Sequence, residues 1–169
     1  MYRLREVDGA EYVEELTELH KATFDGGEVV ADFMDGYWWV AFYEDVPVAF
    51  IGIKQSILGP HVGYFWRVGV LPQHRGNALQ RRLMRAMEAK AKKLGWLRIV
   101  TDTRDNPHSA NNIISTGYRM FSPAAPWAHH DACYWTKALT NERQQRSRAP
   151  RRRPAGGGIL RRPRHNRYA

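Results

Sequence analysis

Cysteine occurs once, at Cys133, which excludes an internal disulfide framework and a zinc site built from cysteine pairs. Long apolar runs are missing too: none approaches the roughly 18 to 20 residues that a membrane-spanning helix needs. The opening MYRLREVDGAEYVEEL is too acidic for a signal peptide. A soluble, cytoplasmic protein without membrane contact is the expectation. At 169 residues the chain is long enough for one hydrophobic core and short for two ordinary domains. Residues to bury run out near Thr140, beyond which Arg, Pro, Gly, Gln and Ser dominate and only Ile159, Leu160 and Tyr168 are large and apolar. Residues 141–169 are therefore expected to be a disordered, Arg-rich tail.

The net charge of +9 sits almost entirely in that tail, where ten arginines face a single glutamate. Residues 1–140 balance, with 16 basic and 16 acidic side chains. Within them the signs separate: residues 1–60 hold 4 basic and 12 acidic groups, residues 61–140 hold 12 basic and 4 acidic. Such asymmetry suits an anionic ligand on one half and a cationic one on the other. Arg151, Arg152, Arg153, Arg161 and Arg162 supply enough charge for non-specific nucleic-acid contact through phosphates. The near absence of aromatic residues there argues against base stacking and sequence recognition.

Hydrophobic patterning predicts the elements in order. Tyr2 to Val7 reads as a strand, and Asp8 as the N-cap of a helix that buries Val13, Leu16, Leu19 and His20. Residues 28–34, bordered by Gly26, Gly27 and Gly36, form a weak second helix or a mobile loop. Tyr37 to Tyr43 and Val48 to Ile57 pair as a hairpin through Glu44-Asp45-Val46-Pro47. The strand HVGYFWRVGVL over 61–71 stops at Pro72. Leu79, Leu83, Met84, Met87, Ala91 and Leu94 recur at helical spacing up to Gly95, the natural terminator. A strand over 97–101, a short helix over 107–116 after Asn106, and strands in GYRMF and ACYWTKAL complete an α/β sandwich around a mixed sheet.

Chemistry concentrates in the strand-to-helix turn Leu71-Pro72-Gln73-His74-Arg75-Gly76-Asn77-Ala78. Consecutive backbone N–H groups and the positive end of a helix dipole suit such a turn to a pyrophosphate. Gly76 and Ala78 keep side chains out of the way, while Arg75, Arg81, Arg82 and Arg85 add positive charge. The segment VGVLPQHRGNA resembles the acetyl-CoA signature of the GNAT N-acetyltransferases, Gln/Arg-x-x-Gly-x-Gly/Ala, with Gln73, Gly76 and Ala78 on the matching positions. The family's second signature has a counterpart in Asn106, Ser109-Ala110 and Gly117-Tyr118. The resemblance spans about residues 2–139, most closely 64–121. It implies an acetyltransferase domain over 1–140 whose mixed, mostly antiparallel sheet is splayed at its central strands and flanked by helices, with acetyl-CoA as co-substrate and no metal. It also implies that Val68, Gly69 and Val70 bind the pantetheine arm, that Gln73, His74, Arg75, Gly76, Asn77 and Ala78 bind the pyrophosphate, and that Asn106 contacts the arm from the next strand.

One departure from the family stands out. Many members carry a tyrosine seven residues after the motif Asn as general acid, and that position is Ile113 here. Tyr118 is the candidate substitute, although a Gly-aromatic position is ordinarily one of packing. Tyr64 stands near the place of a carboxylate base in some relatives. Its spacing puts it on the face of Trp66, Val68 and Val70, as a catalytic candidate or as a wall of the acceptor pocket. His129-His130-Asp131 are metal-ligand types, but neighbours on an extended chain point opposite ways, so a loop is expected, with His130 in reach of an acceptor as a base. Trp127 is a candidate pocket wall, and the remaining tryptophans read as packing residues.

The expected function is direct acetyl transfer to a primary amine, on a small molecule or a protein, by a monomer or homodimer. An alkyl ammonium of pKa roughly 10 must first lose a proton. Glu28, Asp32 and Asp35 favour a cationic acceptor. The alternative is a catalytically weak coenzyme A-binding module that associates with nucleic acid through its tail.

Overall fold

In the computed structural model, residues 1–24 and 29–139 are described. The Arg-rich segment beyond Thr140, with Gly26, Gly27 and Glu28, lies outside them. Alternating charged and apolar residues make β1 (Tyr2–Val7) an edge strand, paired antiparallel to β2 (Tyr37–Tyr43). β2 turns into β3 (Val46–Gln55), which pairs antiparallel with β4 (Val62–Val70). The β2–β3 turn is tighter than the sequence suggested: Glu44 and Asp45 alone form it, both in left-handed conformation. That geometry matches the right-handed twist of the flanking strands, so Val46 and Pro47 join the ladder.

The apolar helical stripe forms α2 (Leu79–Lys93), followed by β5 (Arg98–Thr103), α3 (Pro107–Ser115), the two-residue β6 (Arg119–Met120) and β7 (Cys133–Ala138). Among the described residues seven strands lie in the order β1-β2-β3-β4-β5-β7-β6, and of their pairings only β4–β5 is parallel. α2 and α3 cover one face, where Leu83, Met84, Met87 and Ile113 bury against Ile51, Ile53, Phe65 and Trp135. α1 (Val13–Thr23) covers the other, where Leu16 and Leu19 meet Trp38, Val40 and Phe50. Trp38, Trp39, Trp96 and Trp135 are all buried, as packing residues should be.

The expected N-cap at Asp8 fails, and of the two alternatives for residues 28–34 the described part realises the loop; in both places an aspartate side chain competes for backbone donors. Asp8 accepts from the Ala10 N–H at 2.8 Å in a turn, and α1 begins only at Val13, which stays partly exposed. Asp32 accepts from the Met34 N–H at 3.0 Å, and residues 29–36 form turns rather than a helix while sinking Ala31 and Phe33 into the α1 layer. Among the described residues no helix is long and apolar enough to cross a membrane.

Candidate functional site

β4 and β5 touch only at their beginnings. Val62, Gly63 and Tyr64 pair with Arg98, Ile99 and Val100, after which the strands part, with the Thr101 hydroxyl donating to the Phe65 carbonyl at 2.9 Å where they separate. From Phe65 to Val70, β4 is paired to β3 alone. The Leu71 N–H donates to Val48 on the β3 side, so by strand alternation the N–H groups of Val68 and Val70 point into the fork. A cavity of about 700 Å³ opens there, lined by Phe65 to Val68 of β4 and by Thr101 to Asn106 at the end of β5. Thr23 and Phe24 from the end of α1 wall it on one side, and Ala128, His129 and Ala132 close it on another.

The turn after β4 begins with a 3₁₀ turn, Pro72–His74, and enters α2 through two left-handed residues, Gly76 at φ +80° and Ala78 at φ +55°. A left-handed alanine is strained by about 1 kcal/mol or more, so this conformation is held by its surroundings. The Arg75 Nε donates to the Val70 carbonyl at 3.3 Å, and the Asn77 amide donates to the carbonyls of His74 and Arg75 at 3.1 and 3.2 Å. Those bonds fold the carbonyls inward. The backbone N–H groups of residues 76–81 have no partner among the described residues. Nothing stands within 4 Å of where a Cβ on Gly76 would lie, so the amides face open space. The same turn is tied to the first strand. The Tyr2 hydroxyl bonds Nδ1 of His74 at 3.0 Å, and Arg82 donates to the Tyr2 carbonyl at 3.2 Å.

Asn106 has a second task. Its Oδ1 accepts from the Ser109 N–H at 2.9 Å, capping α3, which leaves its Nδ2 to the cavity it lines. Gln80 at the start of α2 donates to Ser109 at 3.3 Å and accepts from Asn112 at 2.8 Å, so the two helices flanking the fork are locked together.

Tyr64 and Trp66 lie on the α1 side of the sheet, whereas Val68 and Val70 pack on the α2 side. The shared face expected for all four is thus not realised. The reason is a β-bulge: Ile53 pairs with Phe65 and Gly52 with Arg67, so Trp66 is an extra residue that reverses the alternation. The Tyr64 hydroxyl donates to Oδ1 of Asp102 at 2.7 Å, and the Trp127 indole donates to the same oxygen at 2.8 Å. Burial above all, then the adjacent Asp102 carboxylate, pushes the Tyr64 phenol far above its ordinary range, so it holds its proton. As a base it is disqualified. Asp102, absent from the sequence-based candidates, lines the cavity and presents an Oδ2 with no partner among the described residues.

Tyr118 does not line the cavity. Its ring is buried in the α2 layer, 3% exposed, with Lys137 over it and Glu88 nearby. Burial first, then Glu88, raises its phenol well above the usual value. The structure therefore places it as a packing residue, and the position that the departure left apolar, Ile113, forms part of the cavity wall. Of the acidic residues expected to favour a cation, Asp35 pairs with Lys54 at 2.9 Å and Asp32 caps its own turn.

His129, His130 and Asp131 occupy a turn closed by the Ala132 N–H on the His129 carbonyl at 3.0 Å, so their side chains converge instead of alternating. All three are exposed, and their polar atoms lie within 4.8 Å of one another. Nδ1 of His129 is hydrogen-bonded to Asp131. That bond, then burial acting in the opposite sense, sets the Asp131 carboxyl below its ordinary value.

A family model described as the acetyltransferase (GNAT) family matches residues 1–118. Solved structures share the fold at low identity. An acyl-CoA N-acyltransferase from Klebsiella pneumoniae is 23% identical, with 83% of this chain and 99% of that one covered, at a TM-score of 0.64. The ribosomal-protein-S18-alanine N-acetyltransferase of Escherichia coli is 12% identical over 83% and 96%, at 0.67. A Bacillus subtilis acetyltransferase solved in complex with CoA is 16% identical over 83% and 100%, also at 0.67. The comparison with curated proteins finds no match.

Proposed function

Because the chain belongs to the acetyltransferase (GNAT) family, a class of acetyl-CoA-dependent acyltransferases, we propose that it moves an acetyl group from acetyl-CoA directly to a primary amine. The observation that carries this reading is the junction of an unpaired strand edge with an amide-rich turn, both opening from the end of β4. Gln73, His74, Arg75, Gly76, Asn77 and Ala78 cradle the pyrophosphate with main-chain amides and the helix dipole. Val68, Gly69 and Val70 offer main-chain bonds to the pantetheine arm in the manner of an added strand, and Nδ2 of Asn106 donates to it from across the fork. The Val70 N–H, pointing into the fork, polarises the thioester carbonyl and stabilises the oxyanion formed on attack.

The acceptor enters from the α1 side. There Phe24, Trp66 and the Asp102 carboxylate line the cavity; Tyr64 and Trp127 are not among its lining residues and hold Asp102 by their hydrogen bonds. Asp102 accepts two hydrogen bonds on one oxygen, and its second oxygen, without a partner among the described residues, is placed to receive an ammonium. Asp102 and Asp105, not Asp32 and Asp35, support a cationic acceptor. A panel of amines assayed for acetyl-CoA-dependent thiol release tests the reading. Alkyl ammonium acceptors are expected to exceed uncharged aryl amines at least tenfold in kcat/KM, and inactivity across small amines and peptides counts against it.

A second reading, a weak coenzyme-binding module that reaches nucleic acid through residues 141–169, is favoured by Ile113, which puts hydrocarbon where many relatives have an acid. Coenzyme binding without turnover, with nucleic-acid binding lost on truncation at Thr140, supports the module. Turnover indifferent to that truncation supports the enzyme.

A further inference from the structure

We propose that His129 is the group that takes the proton from the acceptor ammonium, with Asp131 as its positioning residue; the inference rests on the acetyltransferase reading and deepens it. The first support is location. His129 lines the same cavity as Asp102 and the unpaired edge of β4, from a segment that is fixed at both ends. Trp127 donates to Asp102 at 2.8 Å, the Ala128 N–H donates to the Tyr134 hydroxyl at 3.1 Å, and the Ala132 N–H closes the turn. An imidazole two residues beyond such an anchor has a defined position.

The second support is tautomer. The carboxylate of Asp131 can only accept, so the neutral ring carries its hydrogen on Nδ1 and keeps the Nε2 lone pair for a proton. This is the arrangement by which a carboxylate orients a histidine base in other enzymes. The side chain is half exposed, so Nε2 can pass its proton on to solvent after each turnover. Rival groups are poorly suited. Tyr64 is held protonated, Tyr118 is in the core, and Asp102 has one oxygen already engaged by two donors.

The step balances as follows. The ammonium gives one proton to Nε2, and the freed lone pair on nitrogen forms the C–N bond at the thioester carbon. The C–S bond breaks with its electrons on sulfur, and the second amine proton goes to the thiolate. The charged groups around the imidazole are Asp131 and His130 on its own turn, Asp102, Arg104 and Asp105 from the end of β5, and Arg67 from β4.

The full-length chain and its H129Q and D131N variants are assayed against an alkyl amine and against an arylamine that is already neutral at neutral pH. H129Q is expected to lose about a hundredfold in kcat with the alkyl amine, to lose less than fivefold with the arylamine, and to regain activity with added imidazole. Its affinity for acetyl-CoA by calorimetry should be unchanged. D131N is expected to lose more kcat with the alkyl amine than with the arylamine, because the imidazole loses the carboxylate that orients it. Equal losses with both amines, or an H129Q variant within threefold of the parent on the alkyl amine, overturn the assignment. A parent chain inactive on every amine overturns the acetyltransferase reading and the dyad with it, whereas an active parent matched by H129Q overturns the dyad alone.

Discussion

Replacing Gly76 by aspartate is expected to weaken acetyl-CoA binding by about a thousandfold while leaving the fold intact. The residue sits at φ +80°, a conformation that aspartate tolerates better than most side chains, so the backbone strain is about 1 kcal/mol. A Cβ there meets nothing within 4 Å, so no packing is disturbed. The new carboxylate, however, arrives beside the unpartnered N–H groups of residues 76–81 and the positive end of α2. It would take the very donors proposed for the pyrophosphate and repel the phosphates as well. Each charge-assisted bond contributes about 1.5 to 3 kcal/mol, so losing two or three amounts to roughly 4 kcal/mol, or three orders of magnitude in Kd. Calorimetric titration measures it. A Kd within fivefold of the parent, in a variant that melts normally, would show that the turn does not hold the coenzyme.

The second large effect is structural and reaches the site from behind. At Gly69, β4 lies tight against the end of α1. A Cβ built there would stand 2.2 Å from the Thr23 hydroxyl and 2.6 Å from the ring of Phe50. Phe50 is wholly buried and cannot retreat, and Thr23 is held by its bond to the Leu19 carbonyl at 2.7 Å, so the end of the helix must lift. Overpacking of this kind costs about 3 kcal/mol. For a domain of this size G69V should therefore lower the melting temperature by about 10 °C. Thr23 and Phe24 also line the cavity proposed for the acceptor, so the KM for the amine should rise well beyond any change in coenzyme affinity. A variant that melts within 2 °C of the parent would show that the helix yields at no expense.

The frame was legible where local rules are strong. Gly76 and Ala78, chosen from the motif, are the two residues around the turn that adopt positive φ, and the stripe from Leu79 to Ala91 is the buried face of α2. What escaped the sequence was non-local. The bulge at Trp66 leaves no mark in β4 itself; it falls opposite the step from Gly52 to Ile53 across the ladder, where the missing side chain of Gly52 makes room for the Trp38 indole. One extra residue was enough to send Tyr64 and Val68 to opposite faces. Asp102 escaped because its partners, Tyr64 and Trp127, are 38 and 25 residues away in sequence. A carboxylate inside the strand RIVTDT was the available signal, since a charge in a mostly buried strand needs a partner or a purpose. His129 escaped because the segment was treated as extended, whereas its turn gathers both histidines and the aspartate on one side.

The bond between Tyr2 and His74 joins an edge strand of the sheet to the turn proposed to hold the coenzyme. Edge strands open more readily than central ones, and whatever holds the turn closed resists that opening in equal measure. Ligand occupancy and peripheral fraying thus form one linked equilibrium. Adding acetyl-CoA should slow amide hydrogen exchange along residues 2–7, and an extension fused ahead of Met1 that pries this strand loose should be felt as weaker coenzyme retention.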